Sequence, residues 1–106
     1  MTTSEYRAYI RKLKEQGYTY YPNQPYERSS QWRKYYQWDT EFESMVCIEI
    51  FDERKYNNGI TLLVKGELSC KSGGPVRIQA RFGCDPDLDY VDSKMKELTE
   101  KIRAII

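Results

Sequence analysis

The chain has 106 residues, which is enough for one hydrophobic core and one domain. With 40% hydrophobic and 31% charged residues it lies in the globular range, which excludes wholesale disorder. Seventeen Lys and Arg against 16 Asp and Glu leave a net charge of +1, so no overall field holds the protein on a polyanion, and any nucleic-acid contact needs a local patch.

In chain order, Tyr6, Tyr9, Ile10 and Leu13 recur at i, i+3, i+4 and i+7 and predict a short amphipathic helix. Thr3 or Ser4 caps its start, and Gly17 closes it in a left-handed conformation. The next stretch, YTYYPNQPYERSSQWRKYYQW, carries six Tyr and both Trp. Pro22 and Pro25 deny its first half regular structure, so residues 18–32 read as an irregular aromatic segment. Further on, Tyr36, Trp38 and Phe42 share one parity, as in a strand, while SSQWRKYY also suits a capped helical turn.

Three β-rich runs follow, MVCIEIF (45–51), GITLLVKGELSC (59–70) and PVRIQARFGC (75–84), separated by the turn signals NNG and KSGG. One face collects Val46, Ile48, Ile50, Ile60, Leu62, Val64, Gly66, Leu68, Cys70, Val76, Ile78, Ala80, Phe82 and Cys84. Residues opposed across an antiparallel pair face the same side, which excludes a two-residue turn at Asn58 and Gly59. A three-residue loop at 57–59 satisfies parity and pairs Ile48 with Leu68 and Ile50 with Gly66. The second hairpin, looping through 71–75, pairs Leu68 with Ile78 and Gly66 with Ala80, leaving a dip where a helix can approach the sheet. That helix is supplied by Leu88, Val91, Met95, Leu98, Ile102 and Ile105, with Asp85 as cap and Pro86 at the first helical position. The predicted fold is therefore α+β: an N-terminal helix, an antiparallel meander of three or four strands, and a C-terminal helix packed on one sheet face.

The chain has no histidine, which removes the commonest general base and metal ligand and, with them, Ser or Cys hydrolases of the usual triad design. Cys47, Cys70 and Cys84 show no CxxC spacing and predict reduced thiols in a cytoplasmic protein. No apolar run reaches membrane length, so no membrane contact is expected. Asp85, Asp87 and Asp89 mimic the start of a calcium loop, but Tyr90 stands where its glycine belongs and Lys96 where its bidentate Glu belongs. No metal or cofactor is expected. On the polar strand face, the register above opposes Glu49 to Glu67, a carboxylate pair of the kind a general acid uses, flanked by Arg77 and Arg81.

The residue types that dominate interface hot spots, Tyr, Trp and Arg, gather in and beside the aromatic segment. Tyr20, Tyr21, Tyr26, Arg28, Trp32, Arg33 and Trp38, with Arg77 and Arg81 on the sheet, form the candidate partner-binding set. Packing competes with recognition here, because a sheet with apolar residues on both faces needs a cover, and these rings suit one over Cys47, Phe51 and Leu63. The reading adopted is a small non-enzymatic protein that binds another protein, as an adaptor, an inhibitor, an immunity-type protein or a product of a mobile element. It acts as a monomer or a weak homodimer through the C-terminal helix. Single-stranded nucleic-acid binding through the same rings and cations ranks second, and an enzyme built on Glu49 and Glu67 third.

Overall fold

Two eleven-residue strands dominate the computed structural model, which describes residues 1–23, 29–38, 42–70 and 77–105, the side chains of Arg77 and Ile105 excepted. β3 (Phe42–Asp52) and β4 (Ile60–Cys70) pair antiparallel without interruption, from Phe42 opposite Cys70 to Asp52 opposite Ile60. Period-two alternation then puts every even residue of both strands on one side, and these are buried from Phe42 to Ile50 and from Ile60 to Leu68, with exposed Asp52 and half-buried Cys70 at the ends. β2 (Ser30–Trp38) and β1 (Thr19–Tyr21) extend the sheet beyond β3, and β5 (Arg77–Cys84) extends it beyond β4. The order is β1-β2-β3-β4-β5, all antiparallel.

The helices α1 (Thr3–Glu15) and α2 (Leu88–Ile105) cover the apolar face. Leu13 from α1 and Leu88, Val91 and Met95 from α2 join Trp32, Val46, Ile48, Ile50, Leu62, Val64 and Leu68 in one core. Gly66 seats the Met95 side chain of α2: a Cβ built there would overlap the Met95 sulfur and lie 3.3 Å from the Phe82 ring. The dip expected at Gly66 and Ala80 is thus filled by α2, and the pairs Leu68–Ile78 and Gly66–Ala80 are as predicted. Beside them, Ser44 and Thr99 share a buried 2.6 Å hydrogen bond between sheet and helix.

The predicted helix–meander–helix order holds, and among the described residues the sheet has five strands. Residues 30–38 form a strand, not a helical turn, and residues 19–21, read as irregular, form a short edge strand on it. The first hairpin differs from expectation: Ile48 faces Val64 and Ile50 faces Leu62. Parity fixes register only in steps of two, and the strands end earlier than a three-residue loop requires. A seven-residue connection closes instead around Glu53, whose N–H donates to the Gly59 carbonyl at 2.8 Å and whose carbonyl accepts from Tyr56 and Asn58. Asn57 and Gly59 both take left-handed backbone there. Glu49 consequently faces Leu63 and Glu67 faces Met45, so the opposed carboxylate pair does not form.

The helix caps also move. Thr2, not Thr3 or Ser4, caps α1, in a capping box with Glu5. At α2, Asp87 accepts from the Asp89 N–H at 2.9 Å. Asp85 exchanges two 3.1 Å hydrogen bonds with the Leu62 backbone instead, fastening the end of β5 to β4. The KSGG turn and Ile106 lie outside the described residues.

The seat at Gly66 is testable. Gly66→Val should cost about 1–3 kcal/mol by overpacking. Met95→Ala in the same chain should recover part of that loss, so the double variant falls short of the summed single losses in urea unfolding.

Candidate partner-binding surface

Strand β2 distributes its side chains between two environments. Trp32 stands opposite Ile48 and Lys34 opposite Val46, on the helix-covered face. Arg33 stands opposite Cys47 and Tyr35 opposite Met45, on the outer face. Between Tyr35 and Gln37 the register shifts by one residue, the mark of a β-bulge. That extra residue reverses the parity expected for Trp38: Tyr36 points to the core side, and Trp38 turns outward, 59% exposed.

The outer face therefore carries a row of rings and one guanidinium along β1 and β2. Arg33 lies over the Tyr21 ring, 4.5 Å from its centroid, and its Nε and Nη2 donate to the Gln31 side-chain oxygen at 3.0 and 2.7 Å. Burial opposes the Arg33 charge, but the neighbouring Tyr35 and Cys47 side chains outweigh it and raise the guanidinium pKa. Tyr35 meets Trp38 edge-on at 4.5 Å between centroids. Each ring is thus oriented by a neighbour before any partner arrives, which reduces the ordering cost of binding.

Across the sheet the face becomes a charge mosaic. Lys65 contacts Glu49 at 3.4 Å, Gln79 donates to Glu67 at 3.2 Å, and Arg81 is exposed opposite Lys65. Met45, Cys47, Phe51 and Leu63 lie half-buried among these groups. Burial pushes the Cys47 thiol up, with Arg33 partly offsetting it, so the thiol stays protonated. Among the described residues, no element packs over this face. The aromatic segment was expected to supply a cover over Cys47, Phe51 and Leu63; its described part enters the sheet as β1 and β2 instead, because its alternation continues that of β3.

Of the nine residues predicted to bind a partner, Tyr21, Arg33, Trp38 and Arg81 share the outer face. Arg77 stands in register with Ser69 on the same side, though only its backbone is described. Trp32 is buried, 6% exposed, on the opposite face, with Tyr20 tilted over it at 5.0 Å between centroids. Tyr26 and Arg28 lie outside the described residues. Tyr35 was missed by the sequence reading, although its parity with Arg33 in WRKYY was the available signal.

Beneath this surface, β2 is tied to α2 by a polar cluster. Lys34 contacts Asp92 at 3.0 Å with both side chains mostly buried, and Lys96 reaches the other Asp92 oxygen at 3.1 Å. The Lys34 ammonium also lies 5.0 Å from the Tyr36 ring centroid and 5.8 Å from that of Tyr18. Burial alone would push the Asp92 carboxyl up, but the contacts from Lys34 and Lys96 outweigh it and hold it below the usual range. Burial raises the phenol of Tyr18, to about 12, and that of Tyr36 as well. The group is a structural ion pair that keeps β2 in place under the exposed row.

Protein-family models, curated protein sequences and solved structures give no match to this chain.

Because its folded carboxyl titrates below the unfolded value, Asp92 stabilises the fold above about pH 3.9, and that share is lost as pH falls through the folded value. Asp92→Asn should therefore cost about 1–3 kcal/mol at neutral pH. The gap between variant and parent should close in urea titrations carried below pH 4.

Proposed function

We propose that this is a small non-enzymatic protein that recognises another protein through the outer face of its sheet. The Tyr21–Arg33–Tyr35–Trp38 row forms the centre of contact, and the flanking charges of Glu49, Lys65 and Arg81 form the rim. One observation carries the reading: hot-spot residue types stand preoriented on strands of a sheet face that no described element covers. An adaptor, inhibitor or immunity-type role in the cytoplasm, with the gene carried on a mobile element, suits such a surface. The protein acts as a monomer or as a weak dimer through the last turns of α2, where Leu98 and Ile102 are half-buried.

Capture from the native host followed by calorimetry with the retrieved partner tests the surface. Tyr35→Ala and Trp38→Ala should each weaken binding tenfold or more, about 1.4 kcal/mol or above, with circular dichroism unchanged. Trp32→Ala, by contrast, should cost about 3–5 kcal/mol of stability as a core truncation. Binding that survives the Tyr35 and Trp38 changes refutes the assignment. A labelled single-stranded oligonucleotide should show no anisotropy change at low salt. Saturable binding that weakens with salt and on Arg33→Ala would replace the protein reading with the nucleic-acid one.

A further inference from the structure

On the other side of the molecule, a groove of about 630 Å³ runs between α1 and the β1–β2 pair. Tyr6 and Ile10 form one wall, Tyr20 the other, and Trp32 the floor. Arg7, Arg11 and Lys14 stand along its rim at i, i+4 and i+7, a stripe of about 10 Å at 1.5 Å per residue. All three are exposed, no carboxylate lines the groove, and none of the three has an ion-pair partner among the described residues. Lys12, on the α2 side of the same helix, differs, pairing with Asp89 at 2.9 Å. The basic stripe is therefore segregated from the charges that knit the two helices together.

We propose that this groove binds an acidic segment of a partner protein that carries a large apolar side chain, in a mode separate from the outer-face contact. Charge complementarity sets the sign of the ligand: three cations in a row, without a partner among the described residues, call for carboxylates at matching intervals. The apolar floor sets its second property, since Trp32 and Ile10 offer dispersion contact only to a side chain that enters the groove. The buried indole N–H of Trp32 has no acceptor among the described residues.

Two other anionic ligands fit less well. A bilayer presents a flat surface, whereas the floor of this groove, Trp32, lies 6% exposed beneath Tyr20. Single-stranded nucleic acid needs an open ring face for stacking, and Trp32 is 6% exposed beneath Tyr20.

Selection from a displayed random dodecapeptide library, run in parallel on the parent protein and on Arg7→Glu/Arg11→Glu, tests the proposal. The parent should enrich peptides combining Asp or Glu with Phe, Leu or Trp, and the charge-reversed protein should not. The top peptide, synthesised and titrated against a Trp38→Phe protein, should shift the remaining Trp32 fluorescence. Its affinity should fall at least fivefold on charge reversal, and the parent's binding should weaken with salt while the variant's does not. No enrichment, neutral or basic consensus peptides, or equal enrichment by both proteins overturns the proposal. So does co-sedimentation with phosphatidylserine vesicles, lost on charge reversal, when no peptide is selected, because the groove is then a membrane contact. Trp38→Ala should leave the selection unchanged, so failure of the outer-face reading and failure of this one are read out separately.

Discussion

The structure depends on one constraint: β3 and β4 form an uninterrupted eleven-residue ladder whose even positions are almost all apolar and whose odd positions are mixed. A sheet with one such face must bury it, and in a chain of this length the two helices are the available cover. Gly66 lets α2 settle against the centre of that face, with Met95 occupying the volume a side chain would have taken. Leu13 brings α1 to the same core, and contacts from Tyr9 to Pro86 and from Lys12 and Gln16 to Asp89 then lock the helices to each other. Removing water from this layer is the main favourable term; the ion pairs at its border, Lys34–Asp92 above all, set where β2 and α2 meet.

Among the described residues, committing both helices to one side leaves the other to solvent, and this separates the residues that stabilise the fold from those of the proposed contact. The two tryptophans, six residues apart in one strand, illustrate it. Trp32 faces Ile48 and belongs to the core; Trp38 lies past the bulge and is mostly exposed. A chain with strict alternation through β2 would have directed both rings to the same side. The bulge, a one-residue irregularity, transfers Trp38 from the buried set to the surface, where Tyr35 receives it.

The sequence revealed what depends on periodicity and concealed what depends on where periodicity breaks. Both helices, the three central strands, the inward set of β3 and β4 and the Gly66 contact follow from patterns of 3.6 and 2 that span many residues; on β5 the set fails at Ile78, 41% exposed at the sheet edge, and at Cys84, which a register shift places opposite Leu63 on the outer face. The first hairpin went wrong because parity admits registers differing by two residues, and the shortest admissible loop is not the one whose backbone groups are satisfied; Glu53 closes a longer one. Asp85 and Asp87 both look like caps, and only the position of Leu62 decides that Asp85 serves the sheet. In the candidate site, residue types were legible and facing was not. Tyr21, Arg33 and Trp38 reached the outer face, while Trp32, equally prominent in the sequence, fell on the inner one. No local signal marks the bulge that decides between them.

The same irregularities bear on how a partner is met. Strand edges invite backbone pairing with another chain unless something blunts them. Here β1 covers only the first part of β2, so the stretch from Lys34 to Trp38 forms a partial edge, and it contains the bulge. At the opposite side, β5 shifts register next to Lys65 and carries Arg81 outward. Both edges thus break the regular spacing of N–H and C=O groups that an added strand would need. The proposed contact is thereby one of side chains rather than of strand addition, and side chains are the groups that β1 and β2 hold oriented on the outer face.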